Sequence, residues 1–196
     1  KNIYNEVHTI PDTPHSFWLM QPWFESTLQY SMAFLNRVFK AEDAKIYREI
    51  TVAKDGSGDF QRIQEAISST RDLGPDYVKI YIKNGVYNEK IEVPAWKRKI
   101  VLVGESRDGV VIVNNDYSGK IDSLTGFIHS TFTSHTLKVE GRDFYAENLT
   151  IQNTSCNQGQ AVALHTAGDR SIFKNCKILG CQDTVYTAGE DNRVLF

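Results

Sequence analysis

With 196 residues, the chain has room for one domain and a short extension. Its 22 Lys and Arg stand against 24 Asp and Glu, a net charge of −2. The basic residues are scattered, so there is no nucleic-acid footprint, and no apolar run approaches the ~18 residues of a membrane span.

Residues 1–49 differ in character from the rest. Pro11, Pro14 and Pro22 with Trp18 and Trp23 read as an irregular segment with aromatic anchors, the tryptophans serving packing rather than sugar stacking. Over 25–40, Leu28, Met32, Leu35 and Phe39 follow the spacing of an amphipathic helix. A start at Lys1 rather than Met is expected of a processed mature form. The expected division is therefore an N-terminal helical extension, 1–49, and a regular region, 50–196.

Short strands dominate from Ile50 onward. Ile50-Thr51-Val52-Ala53 reads as a strand and Lys54-Asp55-Gly56-Ser57-Gly58 as a tight turn, since Gly56-Ser57-Gly58 lacks the lysine and spacing of a phosphate loop. Asp59 is predicted to cap a short helix with Phe60, Ile63 and Ile67 on one face, which would cover the apolar end of the region. Further strands are predicted over 77–82, 91–93, 100–103 and 110–113. Gly85-Val86-Tyr87-Asn88-Glu89 reads as a turn, and 114–126 as a polar loop.

The remaining chain repeats itself. Segments 137–151, 164–178 and 185–196 align without gaps, placing Gly141, Gly168 and Gly189 at one turn and Asn148 and Asn175 at another. Glycine there implies a positive φ or a close approach, and stacked asparagines can bond to each other. Intervals of 27 and 21 residues with alternating apolar positions fit a β-solenoid rung rather than a helical repeat. The third copy breaks off in mid-coil at Phe196, so the region is expected to be the front part of a longer, C-terminally continued solenoid. Cys156, Cys176 and Cys181 have no zinc-type spacing. Cys176 aligns with Leu149 and is expected as a buried thiol, while a disulfide between any two is open.

Within this repeat lie Gln160-Ala161-Val162-Ala163-Leu164 and, 22 residues later, Gln182-Asp183-Thr184-Val185-Tyr186. One coil of a parallel β-helix takes about that many residues, so the two segments would stack. Two amides and a carboxylate would meet on one face, a set able to hydrogen-bond a developing oxyanion and to move a proton. No cluster of metal ligands is visible, and no cofactor is called for.

These stretches are similar to the pectin methylesterases (pectinesterases), right-handed single-stranded parallel β-helix enzymes. The resemblance is carried from about residue 50 to the end, in order. Its segments are Val52-Ala53-Lys54-Asp55-Gly56-Ser57-Gly58-Asp59-Phe60, Ile63-Gln64-Glu65-Ala66-Ile67, Gly85-Val86-Tyr87-Asn88-Glu89, Thr131-Phe132-Thr133-Ser134-His135-Thr136 and Asn148-Leu149-Thr150-Ile151-Gln152-Asn153-Thr154, then the two glutamine segments. By matched position, the resemblance implies that Gln160 binds substrate and lines the oxyanion site, Gln182 stabilises the transition state and Asp183 is the proton donor. It implies Thr136 as a substrate contact, and Phe132 and Tyr186 as aromatics of the sugar cleft. The family's attacking aspartate lies one coil further on than this chain reaches.

The implied activity is hydrolysis of methyl esters of homogalacturonan to pectate and methanol, by a secreted, periplasmic or cell-wall protein that is monomeric when its chain is complete. Its partner is methyl-esterified galacturonan, with no nucleic acid and no membrane. His135, His165 and Cys181 depart from the family's usual residues, and the histidines are expected to be packed or solvated rather than catalytic. The alternative is a catalytically incomplete fragment or homologue that binds polysaccharide or a partner, and the 196 residues alone are expected to show little esterase activity. A polygalacturonase would need clustered carboxylates with a Gly-His-Gly-like site, and a pectate lyase a calcium site with a basic arginine. Neither pattern is present in the sequence.

Overall fold

The computed structural model describes residues 46–189 and 192–196, together with Gln29. Two compact units, Lys1–Ala44 and Lys45–Phe196, divide the chain, and the architecture below is that of the second. The proline–tryptophan segment and, apart from Gln29, the helix predicted over 25–40 lie outside the described residues.

Among the described residues, fourteen strands form three parallel sheets. The first contains β1 (Ile46–Val52), β2 (Tyr77–Ile82), β5 (Ile100–Gly104), β8 (Tyr145–Glu147), β11 (Ser171–Lys174) and β14 (Val194–Leu195), in that order. The second runs β3 (Gly85–Asn88), β6 (Val110–Asn114), β9 (Thr150–Asn153), β12 (Lys177–Leu179). The third runs β4 (Ile91–Val93), β7 (Leu137–Val139), β10 (Leu164–Thr166), β13 (Val185–Thr187). From β2 onward each coil visits the three sheets in turn, so the crossover that a parallel pair needs is the rest of the coil itself, whereas between β1 and β2 it runs through a short helix. This is a parallel β-helix.

Period-two alternation sends every second side chain of a strand into the core. Ile80, Leu102, Ala146 and Phe173 pair in sequence down the first sheet, and all are buried. Tyr87, Ile112, Ile151 and Ile178 form the equivalent column of the second sheet. In the third, Leu137 pairs with Leu164 and Leu164 with Val185, which is the gapless alignment read from the repeat.

The turns carry their own columns. Asn175 Nδ2 donates to Asn148 Oδ1 at 2.6 Å, and both residues adopt left-handed φ, 48° and 56°. Lys99, Asp143 and Arg170 repeat a left-handed φ of 60°, 59° and 58° at the entry to the first sheet. There Arg170 grips the carboxylates of Asp143 and Asp169, and Arg193 binds Asp169 at 2.7 Å. Gly168 is required because a Cβ would collide with the carbonyl of Gly141 in the coil before it, whereas Gly189 supplies a φ of 99°.

Two expectations change. The short helix α1 (Ile63–Ser68) does bury Ile63, Ala66 and Ile67 in the core, but it starts later than predicted. Asp59 does not cap it, because its carboxylate accepts the Thr51 amide at 2.7 Å. The amides of Ile63 and Gln64 donate instead to the buried Glu89 carboxylate, each at 3.0 Å, a cap supplied from another coil. Gly85-Val86-Tyr87-Asn88 is a strand rather than a turn, since Tyr87 is inward-facing and the segment pairs with β6. The polar loop after β6 folds back on itself over 117–129 through an Ile121–Ile128 bridge and reciprocal bonds between Gly119, Lys120 and His129.

Candidate active site

The lead-in segments of β7, β10 and β13 stack on one another. Thr136 N donates to Val162 O and Leu137 N to Ala163 O, while Ala161 N donates to Gln182 O and Leu164 N to Thr184 O, all within 2.9–3.1 Å. Backbone pairing therefore brings the residue after Gln160 against Gln182. Gln160, Gln182 and Asp183 are all exposed on this flank of the helix.

Thr131 opens a 3-10 turn (Thr131–Thr133), and its hydroxyl donates to Gln160 Oε1 at 2.6 Å. With the oxygen occupied, the amide is oriented and its Nε2 has no partner among the described residues. The side chains of Gln182 and Asp183 likewise make no hydrogen bond or ion pair among the described residues. The result is two amide donors and one carboxylate uncommitted on adjacent rungs, which is what an acyl-transfer site needs before substrate arrives.

Aromatic rings border this set. Phe132, 55% exposed, meets Tyr186 edge-on at 5.4 Å, and Tyr186 packs on His165 at 4.8 Å. His165 in turn faces His135 at 6.3 Å. Lys138 and Tyr186 flank His165 in register along the third sheet. The histidines are packed, at 2% and 6% exposure. Burial, then the charge of Lys90, pushes His135 down to about 3. Its Nε2 lies 3.2 Å from the exposed Glu92 carboxylate but is not aligned for a hydrogen bond, so that contact does not overcome desolvation. His165 is lowered by burial and by Lys138.

Thr136 is placed differently from its expectation as a substrate contact. It is completely buried, and its hydroxyl donates to Gln152 O at 2.9 Å, bracing one rung on another. The exposed-side hydroxyl beside Gln160 is that of Thr131, which the sequence did not single out, because spacing alone does not say which threonine of the Thr131–Thr136 segment faces out.

A second feature escaped the sequence. Asp116, at the root of the 117–129 excursion, accepts from Lys90 at 2.8 Å, from Asn114 at 2.9 Å and from Lys120 at 2.9 Å. Against the upward push of burial, those bonds hold its carboxyl far below the usual range. Lys90 also donates to Thr133 O, so the cluster anchors the turn that carries Thr131. Finally, Cys156 and Cys181 form a disulfide, leaving Cys176 as a thiol that burial pushes up to about 11. Among the described residues no cluster of metal-ligating side chains is found.

Comparison with known proteins gives these features a context. A family model described as Pectinesterase matches residues 49–194. Probable pectinesterase/pectinesterase inhibitor 12 of Arabidopsis thaliana is 42% identical over 139 residues, covering 70% of this chain and 24% of that protein. Probable pectinesterase 56 of the same plant is 39% identical, covering 70% of this chain and 46% of its own length. Among solved structures, pectin methylesterase from carrot matches with a TM-score of 0.66 at 34% identity, covering 74% of this chain and 43% of that one. Pectin methylesterase PemA from Erwinia chrysanthemi gives 0.65 at 32%, covering 74% and 46%. The chain spans less than half the length of each of these relatives.

Proposed function

Because the chain belongs to the pectinesterase family, we propose that the protein removes methyl esters from galacturonan, releasing methanol and leaving pectate. The observation that carries the reading is the stacking of Gln160 and Gln182–Asp183 on successive rungs, beside the Phe132–Tyr186 ring pair. In this mechanism a carboxylate from a following rung attacks the ester carbonyl, and the negative charge that develops on oxygen is held by the amides of Gln160 and Gln182. One such donor contributes roughly 3 kcal/mol to the transition state. Asp183 gives its proton to the departing methanol, then takes one from the water that hydrolyses the acyl-enzyme.

Phe132 and Tyr186 offer flat apolar surface to a sugar ring, and Thr131 holds the Gln160 amide in its donating orientation. Thr136 serves from inside, as a brace between rungs. The Cys156–Cys181 disulfide favours an oxidising compartment, consistent with a secreted, periplasmic or cell-wall location. The test is methanol release from methyl-esterified galacturonan by the full-length protein. Asp183→Asn, which keeps shape but cannot shuttle the proton, should lower kcat by roughly 100-fold or more. An Asp183→Asn protein as fast as wild type would end the assignment of Asp183.

A further inference from the structure

The Cys156–Cys181 disulfide takes no part in the ester chemistry, yet its position is specific. Cys156 lies in the loop between β9 and Gln160, and Cys181 immediately precedes Gln182. The bond therefore joins the two lead-ins that bear the amides and the carboxylate, across a Cα–Cα distance of 5.3 Å.

The turn it holds is short of other restraints. Asp183 adopts a left-handed φ of 56°, unfavourable for a residue with a Cβ. Four such residues at the repeated turns of this β-helix are fastened through their side chains: Asn148 and Asn175 bond to each other, and Asp143 and Arg170 form an ion pair. Asp183 has no such partner among the described residues, and neither has Gln182. Backbone bonds from Ala161 to Gln182 O and from Ala163 and Leu164 to Thr184 O fix the strand side of the turn. The entry side, Gly180-Cys181, is exposed and is tied through the sulfur.

We infer that the Cys156–Cys181 disulfide is a positioning element that fixes the Gln182–Asp183 turn against the Gln160 segment. What the turn does rests on the function proposed above; that it is held by the disulfide does not. A small dithiol reductant breaks the bond by delivering two electrons and two protons, itself closing to a cyclic disulfide and leaving two thiols. Cys176 stays out of the exchange, since a half-buried thiol pushed up to about 11 is a poor nucleophile source at neutral pH.

Two measurements on the full-length protein test this, each comparing the oxidised protein, the same protein in dithiothreitol, and the Cys156→Ser/Cys181→Ser double variant, with Cys176→Ser as control. The first is amide hydrogen exchange resolved over 160–165, whose amides donate to the carbonyls of the turn. Loss of the disulfide should speed exchange of the Ala161 and Ala163 amides, which donate to Gln182 O and Thr184 O, by roughly 10-fold or more, while Leu137–Val139 one rung away keep their protection. The second is methanol release, where kcat should fall roughly 10- to 100-fold with KM changed less than about 2-fold, because misplacement of a reacting group acts on the chemical step. The Cys176→Ser control should move neither quantity. Unchanged exchange at Ala161 and Ala163 overturns the inference whatever the activity, as does a kcat indifferent to reduction in a protein that releases methanol. An oxidised protein that releases no methanol would count against the proposed function alone, with the exchange data still deciding the disulfide's role. If the double variant loses protection throughout, the dithiothreitol-treated wild type decides.

Discussion

Glu89 shows how one side chain holds two coils together. Its buried carboxylate takes the first two amides of α1 from a position more than twenty residues later in the chain. Hydrogen bonds to an ionised group are worth roughly 1.5–3 kcal/mol, so Glu89→Ala should destabilise by about 2–3 kcal/mol in denaturant unfolding, while Glu89→Gln should cost less. His135 gives a complementary, pH-dependent prediction. Held neutral at about 3 by burial and by Lys90, with Lys138 and His165 adding to the effect and Glu92 opposing it, it titrates far below an unfolded histidine near 6.5. Between pH 6.5 and 3 the unfolded chain binds more protons than the folded one. The contribution of His135 is thus complete above pH 6.5 and shrinks as the pH falls toward 3, by up to about 1.4 kcal/mol per pH unit. Unfolding midpoints at pH 7 and 4.5 should diverge less in His135→Gln than in wild type, and equal divergence would refute this.

At the scale of elements, the repeat was legible because its markers are position-specific. Gly168 fills a place where a neighbouring carbonyl leaves no room for Cβ, and Asn148 and Asn175 occupy left-handed turns where asparagine is tolerated and can pair. Those constraints set the register of β7, β10 and β13, and with it the stacking of the glutamines. Elements lacking such markers were misread. Gly85 and Asn88 look like turn residues, yet Tyr87 between them is core, which only the partner strand reveals. Asp59 looks like a helix cap, but the Thr51 amide is a nearer donor. Three cysteines admit three pairings, and the choice of Cys156 with Cys181 depends on how far the loops reach. The inward columns make a plain prediction: Leu102→Ala, in the middle of the first sheet and completely buried, should cost about 3 kcal/mol and lower Tm by roughly 10 °C.

For the whole molecule, the candidate site belongs to no single segment. Gln160 and Gln182–Asp183 are brought together only when consecutive coils stack, and Thr131 joins them from the coil before, anchored through the Lys90–Asp116 cluster. Function thus depends on the register of the solenoid, and the central claim is that the two amides act on one oxygen. A double-mutant cycle on methanol release by the full-length protein, with Gln160→Ala, Gln182→Ala and the pair, tests it directly. Donors sharing one developing charge should each cost roughly 100-fold in kcat, and the double variant should fall short of the product of the two effects by a coupling of about 1 kcal/mol or more. Strictly multiplicative losses, or a single substitution that leaves kcat untouched, would contradict it.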